Sequence, residues 1–253
     1  MADPRPDHLL ARDLAVAAGK VLLDIRAAFP SDGDPKALKD AGDRGSHDYL
    51  MAALAEARPD DAVLSEEGAD DPVRLRSDRV WIVDPLDGTR EFSERPRDDW
   101  AVHVALWERG SLVAGAVALP ARDQVFATDA PPEIPPAAGG RIRLAVSRSR
   151  PPAWLPALVE ALDAELVPMG SAGVKAVSVL DGSTDAYVHA GGQYEWDSAA
   201  PVAVASASGL HTSRVDGSAL LYNQPDVLLP DLVVCRPELA ARILAAVARL
   251  DLS

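Results

Sequence analysis

The chain has 253 residues, enough for one large or two small domains, and its 48% hydrophobic content is ordinary for a globular protein. Acids outnumber bases 39 to 25, giving a net charge of −14 and a pI near 4.7, which excludes an electrostatic grip on a nucleic-acid backbone. The single cysteine, Cys235, excludes an intrachain disulfide and a cysteine metal site; with no signal-peptide pattern and no run of about 20 apolar residues, the expectation is a cytoplasmic protein with no membrane partner.

From His8 to Arg26 the apolar residues Leu10, Leu14, Ala17, Val21 and Ile25 recur at helical spacing, and Asp7 is placed to cap that helix. The polar stretch from Pro30 to Gly45 reads as turns, with a second helix from about Ser46 to Ala57 closed by Arg58-Pro59. Two short apolar runs follow, Ala62-Val63-Leu64 and Val80-Trp81-Ile82-Val83. Each stops at acids: Glu66-Glu67 after the first, Asp84 and Asp87 after the second. Strands that run into carboxylates at their carboxyl ends commonly build a site in an α/β sheet. Ala101–Leu106, Leu112–Leu119 and Gln124–Ala127 read as successive strands. The proline-rich segment from Ala130 to Gly140 reads as a linker dividing the chain into 1–135 and 136–253. Beyond it, strands are expected at Arg141–Val146, Asp185–His189 and Leu232–Cys235. Helices are expected near Trp154–Leu162, Val174–Leu180, Ser198–Ser208 and Pro237–Leu250, with Gly209 ending the third of them.

The strongest local feature is Asp84-Pro85-Leu86-Asp87-Gly88-Thr89 directly after a strand. Two carboxylates three apart on a turn can converge on a hard cation, with the Leu86 carbonyl as a third oxygen donor. Gly88 allows a tight backbone approach, so the Gly88 and Thr89 amides can face an anion. The alternative is an Asx-turn with solvated acids. The spacing fits neither an EF-hand loop, which needs acids at alternate positions, nor the aspartyl-nucleophile phosphatases, whose two aspartates have one residue between them. Glu66 joins the cluster if its strand neighbours that of Asp84, whereas Glu67 reads as solvated. Asp43 and Asp197, taken singly, read as helix caps. His103, on a strand, reads as packed.

Taken together, a strand ending in Glu-Glu, a strand ending in Asp-Pro-Leu-Asp-Gly-Thr and a distant Trp196-Asp197-Ser198-Ala199-Ala200 resemble the inositol-monophosphatase-like superfamily of magnesium-dependent, lithium-sensitive phosphatases. The resemblance implies an α+β fold, a layered α/β/α/β/α sandwich with the site between its halves. Ser147-Arg148-Ser149, Gly170-Ser171 with Lys175, and Glu195 before Trp196-Asp197 look most like the CysQ-type 3′(2′),5′-bisphosphate nucleotidases. These act on 3′-phosphoadenosine 5′-phosphate in sulfate assimilation.

Carried over residue by residue, the resemblance implies two or three Mg²⁺ held by Glu66, Asp84, Leu86, Asp87 and Asp197. Asp43 and Thr89 would relay a proton, and Gly88, Thr89, Ser147, Arg148, Gly170, Ser171, Lys175 and Glu195 would contact a small bisphosphate. A homodimer is common in the superfamily. Arg148 is equally readable as a surface arginine, and Lys175 is the only lysine after residue 39. Lys39-Asp40-Ala41-Gly42-Asp43 keeps the family's aspartate at the second helix but lacks its threonine, and Arg95-Pro96-Arg97-Asp98-Asp99 is unusual enough to alter the substrate rim. The competing readings are an inositol monophosphatase or fructose-1,6-bisphosphatase within the superfamily, and a non-catalytic metal-binding regulatory module outside it.

Overall fold

A computed structural model describes residues 3–252. Helices α1 (Asp7–Ala28) and α2 (Pro35–Ala57) precede a five-stranded sheet of β1 (Ala62–Ser65), β2 (Arg79–Asp87), β3 (Ala101–Glu108), β4 (Ser111–Leu119) and β5 (Gln124–Ala127), with the short helix α3 (Thr89–Ser93) after β2. Its strands lie in sequence order, β1 parallel to β2 and the rest antiparallel. The second half contains β6 (Ile142–Ser147), α4 (Leu155–Leu162), β7 (Ala164–Met169), α5 (Ala172–Leu180), β8 (Ala186–Tyr194), α6 (Glu195–Ala207), β9 (His211–Ser213), β10 (Leu228–Cys235) and α7 (Ala240–Val247). These strands form a second sheet in the order β7-β6-β8-β10-β9.

Side-chain alternation along the strands explains the layering. On β2, Trp81 and Val83 pack with α1 and α2, whereas Val80 and Ile82 face the opposite cluster, which holds α5 and α6. On β10, Leu232 and Val234 join that same central cluster, and Val233 and Cys235 face α4 and α7. The result is five layers, α1–α2, sheet, α5–α6, sheet, α4–α7, as the resemblance implies. Residues 128–141 carry no strand or helix and separate the two sheets in sequence. The central hydrophobic cluster draws on both sheets, so neither half buries it alone.

Several boundaries differ from the sequence reading. α2 begins at Pro35 rather than Ser46, because Asp34 caps it by accepting from Lys36 N (3.0 Å) and proline is tolerated in the first turn. Gly42 and Gly45, read as turn residues, lie inside this helix, and Asp43 with them. Asp7 is the first residue of α1 and makes no cap; its carboxylate instead holds Arg58 (2.8 Å) and Arg79 (3.0 Å). β7 was not expected, since its run contains Pro168; it is an edge strand, where a missing N–H is tolerated. α6 starts at Glu195, which puts Asp197 in its first turn, and Gly209 (φ +83°) follows its end as expected.

Candidate active site

The acids that end the strands meet at the carboxyl edge of the first sheet. β1 runs parallel to β2 with Ser65 level with Val83, and Glu66 N donates to Val83 O (3.3 Å), so Glu66 leaves the sheet beside Asp84. In a regular strand residues three apart point to opposite faces. Asp84 pairs with His103 but Asp87 with Ala101, which leaves one extra residue on β2, and this bulge lets both aspartates face one site. Ser46 on α2 braces the bulge by donating its Oγ to Pro85 O (2.7 Å). Gly88 then turns the chain at φ +85°, a conformation costly for a residue with a Cβ, and α3 begins. Thr89 Oγ1 donates to Leu86 O (3.1 Å) and lies 3.5 Å from Asp43 Oδ1.

Asp197 comes from the second half, at the third position of α6. Its Oδ2 accepts from Tyr194 N (2.7 Å), which fixes the side chain against the start of the helix. One carboxylate oxygen from each of Asp84, Asp87 and Asp197 lies within 4.8 Å of the others.

These acids are not electrically alike. Burial would raise the pKa of Asp87, but His103, Lys175 and Ser171 outweigh it and hold the carboxyl well below the usual range. Its oxygens accept from Ser171 Oγ (2.5 Å), Ala172 N (3.0 Å) and Gly173 N (2.6 Å), which places it on the amino end of α5. His103 is fully buried. Its Nδ1 donates to Trp196 O (3.1 Å) and its Nε2 is 3.3 Å from Asp87 Oδ2, a charge contact without hydrogen-bond alignment. Both neighbours are acceptors, which favours the imidazolium: burial pushes its pKa down, Asp87 pushes it up, and Asp87 wins.

For the other acids, burial and neighbouring carboxylates outweigh the donors they have. Burial first, then Glu66, Asp87 and Asp197, push Asp84 well above the carboxylate range. Burial and Asp87 raise Asp197 to about 6, and burial raises Glu66 to about 7 although its carboxyl faces Asp84. Burial followed by Glu67 and Asp40 lifts Asp43 to about 7. This all-oxygen donor set, with negative charge the protein itself does not offset, fits a hard divalent cation such as Mg²⁺.

One cleft of about 570 Å³ contains Glu66, Asp84, Leu86, Asp87, Gly88, Thr89 and Asp197, and also Ser147, Gly170, Ser171 and Lys175 from the second half. Asp43 stands behind Thr89. Lys175 is buried, donates from Nζ to Ser171 O (2.5 Å) and lies 5.4 Å from the centre of the Tyr187 ring.

Two expected substrate contacts are engaged elsewhere. Arg148 donates to Asp99 Oδ2 (2.8 Å) and Pro168 O (3.1 Å) and lines a separate, smaller cleft. Glu195 is 1% exposed, and its two oxygens accept from Asn223 N (2.6 Å) and Gln224 N (2.7 Å). The segment 95–99 is likewise a brace rather than a rim: Asp99 is buried and takes Arg97, Arg148 and the Gly170 amide.

Sequence reasoning missed Arg150, His189 and Gly173. The first two line the main cleft. A Cβ on Gly173 would sit 2.0 Å from His103 Nε2, so glycine there is what lets the imidazole reach Asp87. The pairing of Ser-Ala-Gly at a helix start with a strand histidine is legible only once β3 and α5 are known to touch.

Residues 5–130 and 140–252 match the inositol monophosphatase family. The chain belongs to that family. Among the relatives of this inositol monophosphatase family member is a 3′-phosphoadenosine 5′-phosphate phosphatase of Mycobacterium bovis, 54% identical over 243 residues that cover 91% of this chain and 89% of that one. The protein of the same name from Mycobacterium leprae is 51% identical, covering 95% and 93%. The 3′(2′),5′-bisphosphate nucleotidase CysQ of Escherichia coli K12 is 33% identical, covering 75% and 81%. Among solved structures, CysQ from Bacteroides thetaiotaomicron superposes with a TM-score of 0.80 at 27% identity, over 91% of this chain and 97% of that one. Inositol monophosphatase II of Staphylococcus aureus, at 20% identity and a TM-score of 0.78, shares the fold over 94% and 93%.

Proposed function

We propose that the protein is a Mg²⁺-dependent phosphatase that hydrolyses the 3′-phosphate of 3′-phosphoadenosine 5′-phosphate to AMP and phosphate, in the cytoplasm and in sulfate assimilation. 3′-phosphoadenosine 5′-phosphosulfate is a second substrate in this reading. The observation that carries it is the meeting of Asp84, Asp87 and Asp197 in a cleft whose other wall presents Lys175. The names of the mycobacterial relatives support the choice of nucleotide.

Glu66, Asp84, Asp87, Asp197 and the Leu86 carbonyl would hold two or three Mg²⁺. Bound there, Mg²⁺ supplies a Lewis acid that offsets phosphate charge and strengthens water as a nucleophile. Thr89 Oγ1 takes a proton from the attacking water and passes its own to Asp43 Oδ1, a carboxylate whose pKa near 7 suits that role. Water adds to phosphorus, the bond to the 3′ oxygen breaks, and that oxygen gains the proton. The Gly88 and Thr89 amides face the phosphoryl oxygens, and Ser147, Gly170, Ser171 and Lys175 line the way in. His103, held between Trp196 O and Asp87, ties the Asp87 carboxylate to the first turn of α6, the turn that carries Asp197.

Hydrolysis of 3′-phosphoadenosine 5′-phosphate, inositol 1-phosphate and fructose 1,6-bisphosphate compared at equal concentration with Mg²⁺ tests the reading. The nucleotide is expected to lead in kcat/KM; a tenfold preference for inositol phosphate would reverse it. Millimolar Li⁺ is expected to inhibit through the same carboxylates, and light scattering reads the homodimer that the resemblance implies.

A further inference from the structure

Of the residues assigned to the metal site, Glu66 alone lies outside a strand or helix. The β1–β2 ladder ends at Ser65 and Val83, and beyond it the sheet engages only the Glu66 N–H. The chain then reverses through Glu66-Glu67, where Gly68 N donates to Ser65 O (3.3 Å). A carboxylate carried on so short a turn needs a further anchor to keep one direction.

Side-chain alternation provides the place for one. On β1, Leu64 faces the central cluster, Val63 and Ser65 face the α1–α2 layer, and Glu66 comes round to line the cleft. The face of α2 behind this strand end carries Asp43, Ser46, His47, Leu50 and Leu54 at helical spacing. Leu50 and Leu54 pack with Trp81 and Val83, and above them the face turns polar. Ser46 Oγ donates to Pro85 O (2.7 Å), and His47 Nδ1 shares a hydrogen bond with Ser65 Oγ (3.0 Å). Gly68 closes the turn beside the same ring, where a Cβ would stand 3.4 Å from His47 Cε1. Half-buried His47 thus flanks both ends of the turn that presents Glu66.

We propose that His47 is a positioning residue for Glu66: by gripping Ser65 from behind the sheet, it fixes the turn that aims the Glu66 carboxylate at the metal site. Because Asp43 lies one turn earlier on the same face of α2, the grip also registers Glu66 against the group that accepts the proton. The inference rests on the roles proposed above for Glu66 and Asp43.

The test is Mg²⁺ binding to the substrate-free protein by isothermal titration, for wild type, His47→Leu, His47→Asn, Ser65→Ala and the double variant of His47→Leu with Ser65→Ala, with Glu66→Gln as reference. Leucine keeps bulk without a polar atom, whereas asparagine places one where Nδ1 stands. His47→Leu is expected to raise the Mg²⁺ Kd about tenfold, the lower end for losing a group that orients a metal ligand. Ser65→Ala does the same, the double variant binds no more weakly than either single one, and His47→Asn recovers most of the loss. At saturating Mg²⁺ the KM for 3′-phosphoadenosine 5′-phosphate stays within about twofold of wild type, since the substrate wall is untouched. A tether that served stability alone would lower the metal-free Tm and leave the Kd where it was. A Kd that either single variant leaves unchanged, while Glu66→Gln raises it, overturns the positioning role and leaves the site reading standing. A Kd that Glu66→Gln itself does not change overturns both.

Discussion

Asp84 and Asp87, three residues apart, occupy opposite electrical conditions, and their substitutions should part accordingly. Asp84 is buried among acids, and its Oδ1 needs only to accept from Leu86 N (3.0 Å), which an asparagine oxygen also does. Asp84→Asn is expected to leave the metal-free Tm unchanged or higher while lowering phosphate hydrolysis by roughly 10³-fold, on the scale of losing one group that stabilises transition-state charge. Asp87→Asn breaks a buried pairing with His103 and sets an amide against the Gly173 amide, so its metal-free stability should fall by about 3 kcal/mol. Thermal melts in chelator, read beside activity, check both. Equal Tm losses in the two variants would refute the distinction.

The start of α6 shows how one element serves the site without touching substrate. Glu195 ties the helix to the segment at Asn223 and Gln224, while buried Arg74 ties that segment to the β1–β2 connection through Asn223 Oδ1 (2.9 Å), Gln224 O (3.0 Å) and Asp70. Glu66 follows β1 and Asp197 lies two residues after Glu195, so the network spans both ends of the acid cluster. Glu195→Gln places an amide against backbone N–H groups and should cost about 1–3 kcal/mol of stability. Measured as activity against Mg²⁺ concentration, the variant should need more metal for half-maximal rate. An unchanged metal requirement would confine Glu195 to stability alone.

The same elements show what was legible beforehand. β1 and β2 could be read because apolar runs stop abruptly at acids, and the layered fold followed from the resemblance those motifs carry. The start of α2 could not be read, because Gly42 and Gly45 look like turn residues. Both mark close packing instead: a Cβ on Gly42 would meet the Phe92 ring at 2.7 Å, and one on Gly45 would meet Ile25 Cδ1 at 2.5 Å. Arg148 and Arg150 are indistinguishable in composition; only Asp99, 49 residues before Arg148, separates their roles.

At the scale of the molecule, the acid cluster makes metal-free stability depend on pH. Asp43 and Glu66 near 7 and Asp197 near 6 bind protons more tightly folded than unfolded. Stability from these groups is therefore present below about pH 4 and is lost as pH rises toward 7. His189, which burial lowers to about 4, acts oppositely, losing stability as pH falls below about 6.5. Asp84 and His103, both also raised, act in the same direction as those three groups, and together they outweigh His189. In chelator the Tm should fall between pH 5 and 7.5, and Mg²⁺ at about 100 times its Kd should raise it by roughly 5–10 °C at pH 7.5, and by less at pH 5. A Mg²⁺ shift independent of pH would show that the cluster is not where the metal binds.

Asp87 leaves the first sheet to close the amino end of α5, a helix that packs in the central layer against both sheets. The group that helps gather the acid cluster is thus also a fastener between the two halves. A chain in which the sheets have formed but not docked lacks the helix cap and the cluster together. Incomplete assembly is therefore chemically silent: no half-folded form of this protein can strip phosphate from the nucleotides around it.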